Sequence, residues 1–113
     1  MSVDGQSALE LDSSVFEYYL SQVRDILQNA LADVNASCRV YLFGSRARGT
    51  AYQGSDADIA VMADRDISLP LSRARVILEE STIPYKIDLV DLSRTSADFQ
   101  EQVLADGVLI WKN

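Results

Sequence analysis

One long apolar stripe constrains the fold of this chain more than any other feature of its sequence. Between residues 16 and 34, apolar side chains recur at spacings of three and four, the period of an α-helix with one buried face. The pattern predicts a helix over about residues 13–35, opened by a capping box of Ser14 and Glu17. Residues 1–11 are polar and irregular, and we expect a frayed start there.

Shorter elements follow this stripe. Four β-prone runs bounded by turn-forming residues predict strands at 39–43, 58–62, 86–92 and 108–111. Two further segments predict helices, at 69–81 and from a Ser96 cap to about residue 105. The order helix, strand, loop, strand, helix, strand, helix, strand predicts a single α/β (α+β) domain over residues 1–113, with a small mixed β-sheet flanked by helices.

Composition removes several classes of chemistry. The 113 residues include no histidine, which excludes Ser-His-Asp triads and imidazole-ligated metals. The single cysteine, Cys38, excludes an intramolecular disulfide and fits a reducing compartment. Among the remaining groups, a cluster of carboxylates around a hard cation is the natural candidate for a catalytic site.

Charge and hydropathy limit the partners. A net charge of −7 argues against direct nucleic-acid binding, which normally rests on a basic surface. A small anion that carries its own metal stays compatible with an acidic chain, because the cation reverses the local electrostatics. No apolar run approaches the ~20 residues of a membrane helix, and no secretory signal is visible, so we expect a cytoplasmic protein without a membrane partner.

The segment 44–61 carries the first candidate site. Gly44 and Ser45 end an apolar strand and open a predicted helical turn, where a close backbone approach and free N–H groups suit a phosphate; a plain turn is the simpler alternative. Asp56 and Asp58, one residue apart, share a face in extended backbone, with α-carbons roughly 6.6 Å apart. Two carboxylates on one face repel, which favours a divalent cation between them, although a solvated turn also explains the pattern.

A third acid strengthens this interpretation. Asp88 lies in an otherwise apolar predicted strand, where alternation with Ile87 and Leu89 points it away from one apolar face. It either faces solvent on an edge strand or lies beside Asp58, in which case three carboxylates converge. That arrangement suits two Mg²⁺ ions that share substrate phosphates.

At this point the sequence resembles a known family. Gly-Ser, a gap of about ten residues, Asp-x-Asp and a third Asp on a later strand resemble the signature of the DNA polymerase β-type nucleotidyltransferase superfamily. Gly-Ser-Arg-Ala-Arg-Gly-Thr followed by Ser-Asp-Ala-Asp-Ile is similar to the minimal nucleotidyltransferase (MNT) family, whose domains have a similar length. The key positions all hold the family's residues, namely Gly44, Ser45, Asp56, Asp58 and Asp88.

The resemblance implies a nucleotidyltransferase fold and a role for each motif. Gly44 and Ser45 would hold the β- and γ-phosphates of ATP, with Arg46 and Ser55 beside them in the nucleotide site. Asp56, Asp58 and Asp88 would be the catalytic acids and the ligands of two Mg²⁺ ions. Arg46 and Arg48 contact phosphate or acceptor, or instead form surface ion pairs, and the sequence does not separate these roles.

The family also implies a partner. MNT proteins are typically paired with a HEPN protein, so the resemblance implies an antitoxin that transfers AMP from ATP to a HEPN toxin. Two alternatives stay open: a non-catalytic toxin-binding module with the same fold, and a small-molecule nucleotidyltransferase. The sequence leaves undecided whether the chain forms a homo-oligomer or a hetero-oligomer.

Overall fold

The computed structural model describes residues 8–49 and 56–113. Within them the elements follow one another as α1 (Ala8–Leu31), β1 (Cys38–Phe43), α2 (Gly44–Arg48), β2 (Ala57–Ala63), α3 (Ser68–Glu80), β3 (Ile87–Asp91), α4 (Ala97–Asp106) and β4 (Val108–Lys112). A short 3₁₀ helix, Leu92–Arg94, connects β3 to α4. This is the predicted order of elements, and α2 begins at Gly44, where a helical turn was predicted.

The four strands form one mixed sheet in the order β3-β2-β1-β4. Strand β1 runs antiparallel to both β2 and β4, whereas β2 and β3 are parallel. The carboxyl end of β1 therefore meets the amino ends of β2 and β3 at the same end of the sheet. The predicted mixed sheet flanked by helices is confirmed.

Strand alternation divides the apolar residues between two faces. One face packs under α1 and α3, with Val40, Ile59, Val61 and Leu89 buried against Leu27 and Leu71. The other face is smaller and lies beside α4, where the buried residues are Tyr41, Ala60, Leu92 and Val103. Residues of β2 and β3 with even numbers thus lie on the α4 face.

Helix α1 differs from its prediction at both ends. It begins at Ala8, before the predicted start, because residues 8–11, Ala-Leu-Glu-Leu, are strong helix formers. Ser14 therefore lies inside the helix, and the predicted capping box is wrong. The helix ends at Leu31. There the backbone N–H groups of Ala32 and Val34 donate to the carbonyls three residues earlier, those of Asn29 and Leu31, which tightens the last turn.

The remaining boundaries agree closely with the predictions. The hydroxyl of Ser96 accepts a hydrogen bond from the backbone N–H of Phe99 at 3.2 Å, which confirms the predicted cap of α4. Cys38 is a buried free thiol in β1, in keeping with a small apolar core residue. No helix among the described residues has the length and apolarity needed to cross a membrane.

Candidate active site

Three neighbouring strands present their functional residues in one row. Asp58 pairs with Phe43 across the antiparallel β1–β2 ladder and with Asp88 across the parallel β2–β3 ladder. Residues paired directly across a ladder point to the same face of the sheet, so the two aspartates lie side by side on the α4 face. Asp88 thus combines the two positions expected for it, since it is exposed on the edge strand β3 and also lies beside Asp58.

Gly44 stands at the β1 end of this row. Its φ of 75° lies in the left-handed region, which residues with a Cβ rarely adopt. A Cβ built at this position would collide with Oδ2 of Asp58 and come within 3.2 Å of its Cγ. A glycine is thus required twice, by the turn from β1 into α2 and by the close approach of the backbone to the carboxylate.

The environment of Asp58 disfavours its charged form. Loss of solvent around this half-buried side chain raises the pKa of its carboxyl above the ordinary value of 3.8, and the negative charges of Asp88 and Asp56 raise it further. The guanidinium of Arg48 acts in the opposite direction. Asp88 and Asp56 are therefore both close enough to Asp58 to repel its negative charge, which is the electrostatic setting that a cation relieves.

The donor set fits a hard divalent cation, because carboxylate oxygens are the ligands that Mg²⁺ prefers. The full three-acid cluster is nevertheless not assembled: within residues 8–49 and 56–113, no three His, Cys, Asp or Glu side chains are grouped so as to hold a metal ion. Asp56 precedes the first residue of β2 and is exposed, so strand alternation does not fix its direction as it fixes that of Asp58. The metal-ligand roles of Asp56, Asp58 and Asp88 stay a prediction.

The two arginines of α2 lie in different surroundings. The guanidinium of Arg46 stacks over the rings of Phe16 and Tyr85, at 4.3 and 4.8 Å from their centroids. Arg48 is exposed and acts electrostatically on Asp58. Residues two apart on a helix point in different directions. A helix predicted over residues 44–48 would therefore have indicated that Arg46 and Arg48 lie in different surroundings. The predicted role of Arg46 in nucleotide binding stays a prediction.

Ser45 follows Gly44 in the first turn of α2, where it is half-buried. Its predicted contact with phosphate also stays a prediction. Ser55, the last predicted nucleotide-binding residue, and Tyr52, whose role the sequence left open, lie outside the described residues.

A cavity of about 150 Å³ opens next to Gly44. It lies between α2, the end of β1 and α4, and its walls include Phe43, Arg48, Phe99, Gln102 and Asp106. The rings of Phe43 and Phe99 meet edge to face at 5.8 Å. A cavity of roughly this volume holds one small aromatic ring, so the α4 face has room for a ring-sized group beside the row of functional residues.

Several known proteins are similar to this chain in sequence. The family model described as "Polymerase beta, Nucleotidyltransferase" matches residues 22–113. "Probable protein adenylyltransferase MntA" of Haemophilus influenzae is 36% identical over 92 residues, which cover 80% of this chain and 77% of that protein. "Protein adenylyltransferase MntA" of Shewanella oneidensis is 37% identical over 75 residues, which cover 64% of this chain and 52% of that protein.

A solved structure agrees with these sequence matches. It is described as "Crystal structure of the toxin-antitoxin with AMP-PNP" and is 32% identical, with a TM-score of 0.59. The match covers 77% of this chain and 71% of that chain. The fold thus occurs in a chain whose structure was solved with AMP-PNP.

Proposed function

Because this chain belongs to the polymerase β nucleotidyltransferase family, we propose that it transfers AMP from ATP to a hydroxyl group of a protein acceptor. The family gives the reaction class, nucleotidyl transfer. The choice of AMP and of a protein acceptor rests on the names of the two relatives and on the AMP-PNP in the similar structure.

The observation that carries the proposal is the register that aligns Gly44, Asp58 and Asp88. Nucleotidyl transfer needs a holder for the departing phosphates, charge at the reacting phosphorus and a base for the attacking hydroxyl. A glycine turn, a half-buried aspartate and an exposed aspartate lie next to one another in that order. Each neighbouring pair of strands is separated by about 4.8 Å.

We assign one task to each of these residues. The backbone of Gly44 and the Ser45 hydroxyl bind the β- and γ-phosphates, as expected at a glycine turn that opens a helix. Asp56 and Asp58 would hold Mg²⁺, and Asp88 orients the attacking hydroxyl and accepts its proton. When bound, the metal would neutralise the phosphate charge and lower the pKa of the hydroxyl.

The partner follows from the same comparisons. The similar structure is a toxin–antitoxin complex, so we propose that this chain is the antitoxin and that the acceptor is its toxin. The resemblance of the sequence to MNT proteins adds that this toxin is of the HEPN type. A cytoplasmic location belongs to the same proposal, since Cys38 is a free thiol.

Label transfer tests this function. The protein is incubated with Mg²⁺, ATP labelled on the α-phosphate, and the product of the adjacent gene. We expect label on that product from the wild type and a loss of at least about 100-fold in Asp58→Asn and in Asp88→Asn. Asp91→Asn is the matched control, since it removes the same charge from β3 and keeps an oxygen for the hydroxyl of Ser93, which lies 2.8 Å from Asp91 Oδ1.

Two outcomes contradict the proposal. Absence of label on the protein acceptor in the wild type would remove the transfer reaction. Full neutralisation of the toxin by Asp58→Asn would leave a non-catalytic binding module with the same fold. A transferase is supported if neutralisation and labelling are lost together in the two site variants and kept in Asp91→Asn.

A further inference from the structure

A groove of about 380 Å³ runs along the outer edge of β3, beside the proposed active site. Strand β3 is the last strand on its side of the sheet, so no other strand of residues 8–49 and 56–113 pairs with this edge. The groove lies between β3 and α3, and the residues that matter here are Arg75, Glu79, Tyr85, Lys86, Ile87 and Asp88. Asp88 therefore belongs both to the row of functional residues and to the wall of the groove.

The order of the strands gives the direction from which an acceptor must approach. In-line displacement places the attacking oxygen opposite the departing pyrophosphate. The proposed phosphate holder, Gly44, lies at the β1 end of the row, and Asp58 follows on β2. The attacking oxygen must then come from beyond β2, past Asp88, which is the side where the groove opens.

The backbone of β3 suits a peptide in this groove. The carbonyl of Lys86 accepts from the N–H of Ala57 at 2.9 Å, so Lys86 points its backbone groups toward β2. In a parallel ladder the next residue points the other way, which directs the backbone of Ile87 and Leu89 to the outer edge. The carbonyl of Leu89 does accept there from Arg75 Nη2, at 2.9 Å. An edge of this kind pairs with an extended polypeptide.

The charges of the groove favour the same occupant. The groove is lined by two positive residues, Arg75 and Lys86, and by two negative residues, Glu79 and Asp88. The positive and negative charges of the groove are therefore equal in number, although the net charge of the chain is −7. Two cations beside two acids do not make the basic surface that a polynucleotide needs. Lys86 is exposed, directly precedes β3 and lines the groove two residues before Asp88, where it can pair with an acidic side chain next to the acceptor hydroxyl.

We propose that the groove along the outer edge of β3 is the acceptor subsite, and that an extended segment of the acceptor protein binds there as an added strand. This inference rests on the proposed function and names where its protein substrate binds. The segment's hydroxyl oxygen forms a bond to the α-phosphorus, while the bond from that phosphorus to the oxygen bridging to the β-phosphate breaks. Pyrophosphate leaves with the bonding electrons, and the hydroxyl proton passes to the Asp88 carboxylate.

Two pairs of variants test the subsite, with the product of the adjacent gene as acceptor. Ile87→Pro removes an outward N–H at the first residue of an edge strand, where proline is tolerated, and Ile87→Ala removes the same side-chain packing but keeps the N–H. Lys86→Glu reverses a charge in the groove. Lys112→Glu makes the same reversal on the exposed end of β4, the opposite edge of the sheet.

We expect Ile87→Pro and Lys86→Glu to raise the KM for the acceptor, and its Kd, by about tenfold relative to their controls. The KM for ATP should stay within about twofold in all four variants. Circular dichroism and thermal unfolding establish that each pair is equally folded. If Ile87→Pro and Ile87→Ala differ in stability, the comparison of Lys86→Glu with Lys112→Glu tests the subsite instead.

The result distinguishes this inference from the function on which it rests. Wild-type labelling with an acceptor KM that is equal in each variant and its control overturns the subsite and leaves the transferase intact. No labelling of the acceptor by the wild type contradicts the proposed function instead. In that case the Kd for the acceptor still tests whether the acceptor binds in the groove. Equal Kd values for each variant and its control, in both pairs, would overturn binding in the groove.

Discussion

At the scale of single residues, the site depends on a close approach between a glycine and a carboxylate. Gly44 has a left-handed backbone, and Asp58 occupies the volume that a Cβ would take. Asp58 in turn is half-buried beside two other acids, so its ionised form is unfavourable in the isolated chain. Both features place local energetic costs at the point where phosphate and metal charge are expected to bind.

Gly44→Ala should destabilise the protein more than Gly49→Ala does. Both glycines have a φ of 75°, so each substitution incurs the left-handed penalty of about 1–2 kcal/mol. Only the Cβ at position 44 meets Asp58, whereas a Cβ at position 49 has no heavy atom of the described residues within 4 Å. We expect Gly44→Ala to cost at least about 1 kcal/mol more in urea unfolding and to lose labelling activity that Gly49→Ala keeps. Equal stability of the two variants would contradict the close approach.

Asp58→Asn should raise the free energy of unfolding at neutral pH in buffer with a metal chelator. In the folded chain, burial and the charges of Asp88 and Asp56 raise the pKa of this carboxyl, so ionising it destabilises the fold. The contribution of the protonated group is complete below the unfolded pKa and is lost as the pH rises through the higher folded pKa. The advantage of the variant should therefore be largest at neutral pH and disappear on acidification.

Thermal unfolding across the acidic range measures this difference. Asp91→Asn is the control for the change in net charge, because it removes one carboxylate from the far end of β3 without touching the row. A gain in stability for Asp58→Asn alone supports the electrostatic account. A variant less stable than the wild type at neutral pH would contradict it.

At the scale of elements, the α4 face is covered less completely than the opposite face. Helices α1 and α3 bury most of the core, whereas α4 contributes the single buried residue Val103 and a half-buried Phe99. This helix also forms one wall of the cavity next to Gly44. The stability of α4 therefore affects the shape of the site more than it affects the main core.

Removing the cap of α4 by Ser96→Ala should cost about 1 kcal/mol. The Ser96 hydroxyl accepts from the N–H of Phe99, and alanine at position 96 offers no oxygen to that N–H. Ser96→Asp keeps an acceptor oxygen and should restore stability. Hydrogen exchange should show faster exchange at Phe99 and Gln100 in the alanine variant only, and unchanged exchange there would contradict the capping role.

At the scale of the whole molecule, the domain is small and acidic. One mixed sheet covered by α1 and α3 on one face and by α4 on the other forms two hydrophobic clusters. The net charge of −7 opposes the binding of a bare triphosphate, so ATP should bind only together with a cation. Ligand binding to a small folded domain should then be visible as a change in its global stability.

Mg²⁺ and ATP together should stabilise the wild type against heat, whereas ATP with a chelator should not. At a ligand concentration of 100 times Kd, binding to the folded state adds about 2.7 kcal/mol. Differential scanning calorimetry with each ligand alone and with both measures this stabilisation. Asp58→Asn should lose most of it, and Asp91→Asn should keep it. Stabilisation by ATP that does not depend on a divalent cation would contradict a metal-bridged site.

The sequence by itself determined the order of elements and the identity of the key residues. Periods of 3.6 and 2 are local properties of the chain, so they predicted the helices, the strands and the cap at Ser96. The spacing from Gly44 to Asp58 was sufficient to suggest the family. The start of α1 was missed because Ser14 looked like a cap, whereas residues 8–11 are helical.

Only the tertiary structure decided which residues meet. Strand order and register are long-range properties, and they place Asp88 beside Asp58 and leave β3 at an edge next to a groove. Tertiary packing also decides the partners of the two arginines of α2, since Arg46 stacks on Phe16 and Tyr85 and Arg48 acts on Asp58. A linear pattern fixes which face of a strand a residue occupies, but the neighbour across the ladder depends on how the whole chain packs.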